Sequence, residues 1–384
     1  MPDRIRKLAI VGASVRAAAF SALRAGYEVV AADLFADADL QQACPAEHVA
    51  GYPEGLTKWL ASTPCDAWMY TGALENHAEL VDRMAAIKPL LGNGGSMLRR
   101  ARDPLVLQQE LVNAGLAFPE TTASPVGLPL DGSWLCKTYR GASGAGVRRL
   151  CDESQLMRAA RSHAYFQRYV EGMPAAATFV VSTYGELLLG VTRQLLGPDT
   201  TGAERWRYCG SIGPLPTSAE ASQQLDTLGK LLSRRFHLRG LIGVDLVIDN
   251  DRVWVLEINP RYSASVEIVE RSCGASPIAL HVAACTETMM ANHPVASTPA
   301  DELAHGKAIL IARQDMIITN SFFCWAMERT GVEPERRELA DVSPVGARIP
   351  AGGPVLTVFA SGRDCEKRLG ERLAEVERRL YAAP

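Results

Sequence analysis

The sequence has 384 residues, with 40 Lys and Arg set against 43 Asp and Glu for a formal net charge of −3. Its 47% hydrophobic and 22% charged content is that of a folded chain and excludes wholesale disorder. The near-neutral balance removes the bulk attraction that a general nucleic-acid binder needs, so no nucleic-acid partner is expected. In chain order, Arg4-Ile5-Arg6-Lys7 followed by Leu8 to Ala13 resembles the start of a signal peptide. Arg16 cuts that apolar run short, and no signal is expected. Lys7 to Gly12 reads as a strand, Ser14 to Ala25 as a helix closed by Gly26, and Tyr27 to Asp33 as a second strand. A strand at Asp66 to Thr71, a helix near Glu75 to Ile87 and a short apolar element at Pro89 to Gly92 follow. This alternation is that of an open α/β domain. The first turn, Gly12-Ala13-Ser14-Val15-Arg16, lacks the GxGxxG pattern, so a dinucleotide site is not expected. It is either an anion site at a helix start, capped by Ser14, or simply a tight turn.

Arg99 to Gly115 reads as one helix, ended by Gly115 and Pro119. Short strands, glycine loops and hairpins come next. His293 to Pro299 reads as a connector, Lys307–Arg313 and Val355–Phe359 as strands, and the C-terminal stretch as an amphipathic helix. The apolar stripe of that helix, Leu369, Leu373, Val376 and Leu380, is expected to pack on its own domain. The nine cysteines are odd in number and never spaced CxxC, which argues against a disulfide framework or a zinc ribbon and for the cytoplasm. No stretch approaches the ~18 uncharged apolar residues of a membrane span, so a soluble protein with no membrane partner is expected.

Three separated pieces carry chemistry. In the first, the strand Trp134-Leu135-Cys136-Lys137 leads into Gly141-Ala142-Ser143-Gly144-Ala145-Gly146. Glycines let backbone N–H groups approach phosphate oxygens, and the lysine supplies a point charge. Taken alone, a flexible hairpin with a surface lysine fits this piece equally well. The second piece is Gly243 to Ile248, an Asx-rich turn, and Arg252 to Arg261, which together read as a β-hairpin. Alternation puts Val244, Leu246, Ile248, Trp254, Leu256 and Ile258 on one apolar face, and Asp245, Glu257 and Asn259 on the other. A three-residue turn, Asn250 to Arg252, sets Asp245 opposite Glu257, whereas a two-residue turn breaks that alignment. Two carboxylates and an amide oxygen suit a hard cation such as Mg²⁺ beside nucleotide phosphates. The third piece is a pair of cations, Arg261 and Arg193, whose guanidinium groups can grip a phosphoryl group or a carboxylate bidentately.

Together these pieces resemble the ATP-grasp superfamily, whose members activate a carboxylate with MgATP as an acyl phosphate that a nucleophile then attacks. The run Glu257-Ile258-Asn259-Pro260-Arg261 is its most specific element, and the resemblance covers roughly Arg99 to Cys285. It implies an α/β fold: an N-terminal open α/β domain followed by a two-lobed α+β ATP-grasp fold with a C-terminal extension. The implied boundaries are 1–98, 99–170 (linker helix and first lobe), 171–290 (second lobe with the metal site) and 291–384. It assigns ATP phosphates to Lys137 and to the loop residues Gly141, Ser143, Gly144 and Gly146. Adenine and ribose go to Gln167, Tyr169, Val170 and Glu171. Asp245, Glu257 and Asn259 become ligands for Mg²⁺, with Mn²⁺ as a substitute, and Arg261 and Arg193 stabilise the transferring charge. Within the superfamily the chain resembles the carboxylate–amine ligase branch, and more narrowly members that join glutamate to tyramine or a related amine in one-carbon coenzyme biosynthesis. The partners implied are a small carboxylate and an amine, with a homodimer among the assemblies left open. Loops carrying Glu75, Asn76, Arg207 and Tyr208 are expected to set specificity. One departure stands out: Pro104 sits where relatives carry a phosphate-contacting lysine, leaving Arg99, Arg100 or Arg102 to replace it. A carboxyphosphate-dependent carboxylase and a nucleotide-binding regulatory protein without turnover are the alternatives.

Overall fold

The computed structural model describes residues 5–156, 163–197, 205–287 and 303–381. The first unit is a four-stranded parallel sheet in the order Ala46–His48, Glu28–Asp33, Lys7–Val11, Ala67–Tyr70. Its central strands are apolar almost throughout because helices cover both faces. The helix Ala38–Ala43, the strand Ala46–His48 and the helix Gly55–Ser62 carry too little periodicity to be read from sequence. At the first turn Ser14 caps nothing. Instead Asp33 Oδ2 accepts the Val15 N–H at 3.0 Å and Oδ1 accepts those of Phe35 and Ala36, so the turn is tight and satisfied from within.

The single helix expected over 99–115 is two, Gly95–Ala101 and Pro104–Asn113. Asp103 caps the second by accepting the N–H groups of Leu105 and Val106, with Pro104 at the first helical position where a missing N–H costs nothing. Next comes a small antiparallel sheet, ordered Thr121–Thr122, Ala164–Arg168, Trp134–Thr138, Arg148–Arg149.

The largest element is an eight-stranded antiparallel sheet. Its order is Arg252–Asn259, Gly240–Asp249, Met173–Ser182, Gly185–Leu196, Tyr208–Gly213, His305–Ile311, Pro354–Ser361, Leu339–Ala340. Strands from the C-terminal segment therefore extend the same sheet. The helix Ala219–Arg234 buries Leu225, Leu228 and Leu232 against Phe179, Ile242 and Val244 of one end. The helix Cys365–Tyr381 buries Leu369, Leu373 and Val376, with Leu380 at the margin, against Leu310, Leu356 and Val358 of the other. The connector at 293–299 lies outside the described residues. No disulfide forms among the described residues, and no helix among them is long and apolar enough to cross a membrane.

Candidate active-site cleft

A cleft of about 260 Å³ opens between the small sheet and the large one. One wall is the hairpin of Gly240–Asp249 and Arg252–Asn259. Its turn has two residues, since Asp249 pairs with Arg252 across Asn250 and Asp251, and Asn250 adopts the left-handed φ of +51° that such turns require. That register alone would set Asp245 opposite Leu256. A bulge between Asp245 and Leu246 corrects it, so that Asp245 pairs with Glu257 and Gly243 with Asn259. The alignment expected from a three-residue turn is thus reached by a two-residue turn plus one inserted residue. The apolar face changes accordingly: Val253 and Val255, not Trp254 and Leu256, join Val244, Leu246 and Ile258 in the core. Trp254 instead carries the Arg252 guanidinium 4.1 Å above its ring, and Leu256 turns into the cleft.

On this wall the acidic trio is closely knit. Asn259 Nδ2 donates to Asp245 Oδ2 at 3.0 Å and to Glu257 Oε1 at 3.3 Å, and Gln194 Nε2 donates to Asp245 Oδ1 at 2.7 Å. Burial and the facing Glu257 carboxylate push Asp245 up. Burial works the same way on Glu257, yet Arg102, a hydrogen bond from Asp245 and Lys137 hold it below its ordinary value. The two facing carboxylates therefore oppose each other's ionisation, and Asp245 is the one pushed up. That is an oxygen donor set short of one cation, and it fits Mg²⁺, which binds through one or two carboxylates plus substrate phosphates. Asn259 Oδ1 faces Arg102 and Arg261 instead of the carboxylates.

The opposite wall is the strand Trp134–Thr138 and the glycine loop. Lys137 is half-buried, and its Nζ donates to Gln167 Oε1 at 2.6 Å. Burial lowers its pKa, while Glu257 and Asp245 oppose the shift. The loop is held at two points: Asn76 Nδ2 donates to the Gly141 carbonyl at 3.2 Å, and the Tyr208 N–H donates to the Ser143 carbonyl at 3.2 Å. Gly144, at φ +77°, lies so close to the Trp206 carbonyl that a Cβ would collide with it.

Lys137, Gly141, Ser143, Gly144, Gln167, Tyr169, Val170, Asp245, Glu257, Asn259 and Arg261 all line this one cleft. Gly146 and Glu171 are outside its wall, and Glu171 is exposed. Arg193 is not brought there either. It pairs with Ala175, and its neighbours Thr192 and Gln194 take the face of Asp245, so strand alternation turns Arg193 to the other side of the sheet. There it meets Glu366 of the C-terminal helix. Gln194, one residue on, is the side chain that reaches the site, and only the strand's parity separates the two. Arg261 donates to Glu75 Oε1 at 2.6 Å and to Asn259 Oδ1 at 3.1 Å, so a buried N-terminal carboxylate fixes it. Tyr208 lines the cleft, whereas Arg207 reaches the Gly352 carbonyl. Of the three arginines near Pro104, Arg99 faces Asp82, Arg100 faces Glu110, and Arg102 alone enters the cleft.

A sequence model described as the ATP-grasp domain matches residues 101–265, the segment that builds both walls. The chain is 22% identical over 204 residues to the C-terminal section of the carbamoyl phosphate synthase large chain of Aquifex aeolicus, a match covering 48% of this chain and 37% of that one. It is 25% identical over 278 residues to the formate-dependent phosphoribosylglycinamide formyltransferase of Azotobacter vinelandii, covering 68% and 70%. Among solved structures, an ADP complex of N5-carboxyaminoimidazole ribonucleotide synthetase superimposes with a TM-score of 0.70 at 16% identity, covering 98% of this chain and 99% of that one. The biotin carboxylase domain of the 2-oxoglutarate carboxylase of Hydrogenobacter thermophilus, in complex with MgADP, ADP and bicarbonate, gives 0.69 at 12% identity, covering 97% and 90%. The fold is the α/β ATP-grasp fold of these proteins.

Proposed function

Because this chain contains an ATP-grasp domain, we propose that it is an ADP-forming ligase that activates a carboxylate as an acyl phosphate and passes the acyl group to an amine. The observation that carries this reading is the convergence, in one cleft, of a lysine held by Gln167, a glycine loop, an acidic trio and a fixed arginine. Lys137 and the loop amides around Ser143 and Gly144 hold nucleotide phosphates, and Gln167, which holds Lys137, sets where that charge sits. Tyr169 and Val170 line the adenine end. Asp245, Glu257 and Asn259 would hold Mg²⁺, which would offset the negative charge of the phosphates. Arg261, held by Glu75, would stabilise charge on the transferring γ-phosphoryl and on the acyl phosphate. Phosphoryl transfer asks the protein mainly for position and fixed charge, and no residue is assigned as a general base.

The finer reading is that glutamate is the acid and tyramine or a related amine the acceptor, in one-carbon coenzyme biosynthesis. Its support is the resemblance in the first turn, in Gly72 with Glu75 and Asn76, and in the segment from Ala340 to Ala360. The test is an ADP-release screen of acids against amines, beginning with glutamate plus tyramine or tyrosine and including formate and bicarbonate. ADP release that requires Mg²⁺, an organic acid and an amine supports the ligase. Release with bicarbonate alone redirects the reading to a carboxyphosphate-dependent carboxylase. ATP binding without ADP formation across the panel overturns both.

A further inference from the structure

Arg207 stands at the rim of the cleft with its side chain turned away from it. Alternation along Trp206-Arg207-Tyr208 puts Trp206 and Tyr208 in the cleft wall and leaves Arg207 outside it. Each of the three residues has a different hold. The Trp206 carbonyl lies against Gly144 of the glycine loop, and the Trp206 ring meets Tyr169 edge-on at 5.6 Å between centroids. The Tyr208 N–H donates to the Ser143 carbonyl at 3.2 Å, and the Tyr208 hydroxyl pairs with Ser211 Oγ at 2.7 Å. Between them, Arg207 NH1 donates to the Gly352 carbonyl of the C-terminal segment.

The two parts joined in this way differ in how firmly they are held. Gly352 sits in a fixed turn: the Ala351 N–H donates to Asp315 Oδ1 at 2.8 Å, the Gly352 N–H to the Ala312 carbonyl at 2.7 Å and the Gly353 N–H to the Pro350 carbonyl at 2.8 Å. Pro354 then opens a strand of the large sheet. The glycine loop is the weaker party. Arg140, Ala142, Ser143, Ala145 and Gly146 are exposed. Apart from bonds within its own turns, the loop is hydrogen-bonded at the Gly141 and Ser143 carbonyls alone among the described residues. A segment with so few holds is drawn from the low-stability end of a fold, and its hold at Ser143 is only as steady as the run 206–208.

We propose that Arg207 is a positioning residue, which ties the run 206–208 to the C-terminal turn and thereby keeps the glycine loop closed on the cleft. No residue beyond Ser265 lines the cleft, so the C-terminal segment acts on it at one remove. That the closed loop covers a nucleotide rests on the ATP-dependent reading above, whereas the tie itself is independent of it.

Arg140 gives the test its handle, because it is exposed at the start of the loop and trypsin cleaves after arginine. Limited trypsin digestion of the full chain, with fragments identified by mass, compares wild type, Arg207→Ala and Arg207→Lys. Arg193→Ala is the control, since it cuts a different tie between the large sheet and the C-terminal segment. Cleavage of a segment that opens and closes rapidly tracks its open population. Loss of one charged donor in Arg207→Ala is expected to speed cleavage after Arg140 roughly fivefold, with the urea midpoint unchanged. Arg207→Lys, which keeps a charged donor, recovers part of the protection, and Arg193→Ala matches the wild type. MgATP is expected to slow this cleavage in the wild type. Cleavage after Arg140 within about twofold of wild type in Arg207→Ala overturns the assignment. So does an equal rise at every cleavage site with a lowered urea midpoint, which would make Arg207 a brace of the whole fold. A wild-type loop that MgATP leaves unprotected overturns the nucleotide reading and not the tie, so the two failures are distinct.

Discussion

Replacing Glu267 by glutamine probes the junction that holds the cleft together. Glu267 is 2% exposed, opens the helix Val266–Cys273 just beyond the cleft residues Ser263 to Ser265, and takes three cations at once. Arg16 of the N-terminal unit donates to both its oxygens, Arg337 NH1 donates at 2.7 Å, and Lys307 Nζ at 3.1 Å. Burial would raise its pKa, but Arg16, Lys307 and Arg337 together hold it far below the usual carboxylate range. After Glu267→Gln, Arg16 keeps Asp341 at 2.8 Å and Arg337 keeps the Gly331 carbonyl, whereas Lys307 has no other acceptor among the described residues. An uncompensated buried cation of this kind costs about 3–5 kcal/mol. The assay is urea unfolding followed by circular dichroism, comparing midpoints of wild type, Glu267→Gln and Glu267→Gln/Lys307→Met. The double variant, which removes the stranded ammonium, is expected to recover at least about 1 kcal/mol. A Glu267→Gln protein within about 1 kcal/mol of wild type refutes the reasoning.

Three further outcomes follow from individual side chains. His281 is buried, accepts the Leu241 N–H at Nδ1 and donates from Nε2 to the Leu91 carbonyl, and burial lowers its pKa to about 4. Because the folded value lies below the unfolded one near 6.5, its stabilisation is complete above pH 6.5 and is lost as pH falls towards 4. This amounts to about 2 kcal/mol between pH 7 and pH 5, and His281→Asn should flatten that slope in urea midpoints taken at the two pH values. Gly144→Ala places a Cβ against the Trp206 carbonyl at a left-handed φ, so titration with ATP should show affinity lowered by roughly tenfold. Arg193→Ala removes only an ion pair on the far face of the sheet, between groups 32% and 62% exposed. Turnover should stay within about twofold of wild type and stability should fall by under about 1 kcal/mol, whereas a large loss of turnover would return Arg193 to the site.

The features legible in the sequence are those set by local chemistry. The continuous apolar runs of Lys7–Val11 and Glu28–Asp33, the amphipathic stripe of the C-terminal helix, and the acidic character of the hairpin face carrying Asp245, Glu257 and Asn259 follow from periodicity and residue type. Asp103-Pro104 also carried its signal, a cap followed by a proline at the first helical position, and it decides which arginine reaches the cleft. What stayed hidden depends on distance or on a single residue of register. The bulge in the hairpin wall moves Trp254 and Leu256 out of the core, and no pattern of side chains marks a backbone insertion. The choice between Arg193 and Gln194 is a choice of parity, set by how the strand enters the sheet. The cluster around Glu267 joins residues 251 positions apart on one side and 70 on the other, so nothing local announces it.

The central claim is that this cleft makes an acyl phosphate. The most direct measurement supplies MgATP, the acid and hydroxylamine, with the amine omitted, and counts ADP and hydroxamate. The two are expected in equal amounts, with both lost in Glu257→Gln. ADP without hydroxamate for every acid that supports turnover, or AMP and pyrophosphate in place of ADP, would contradict it.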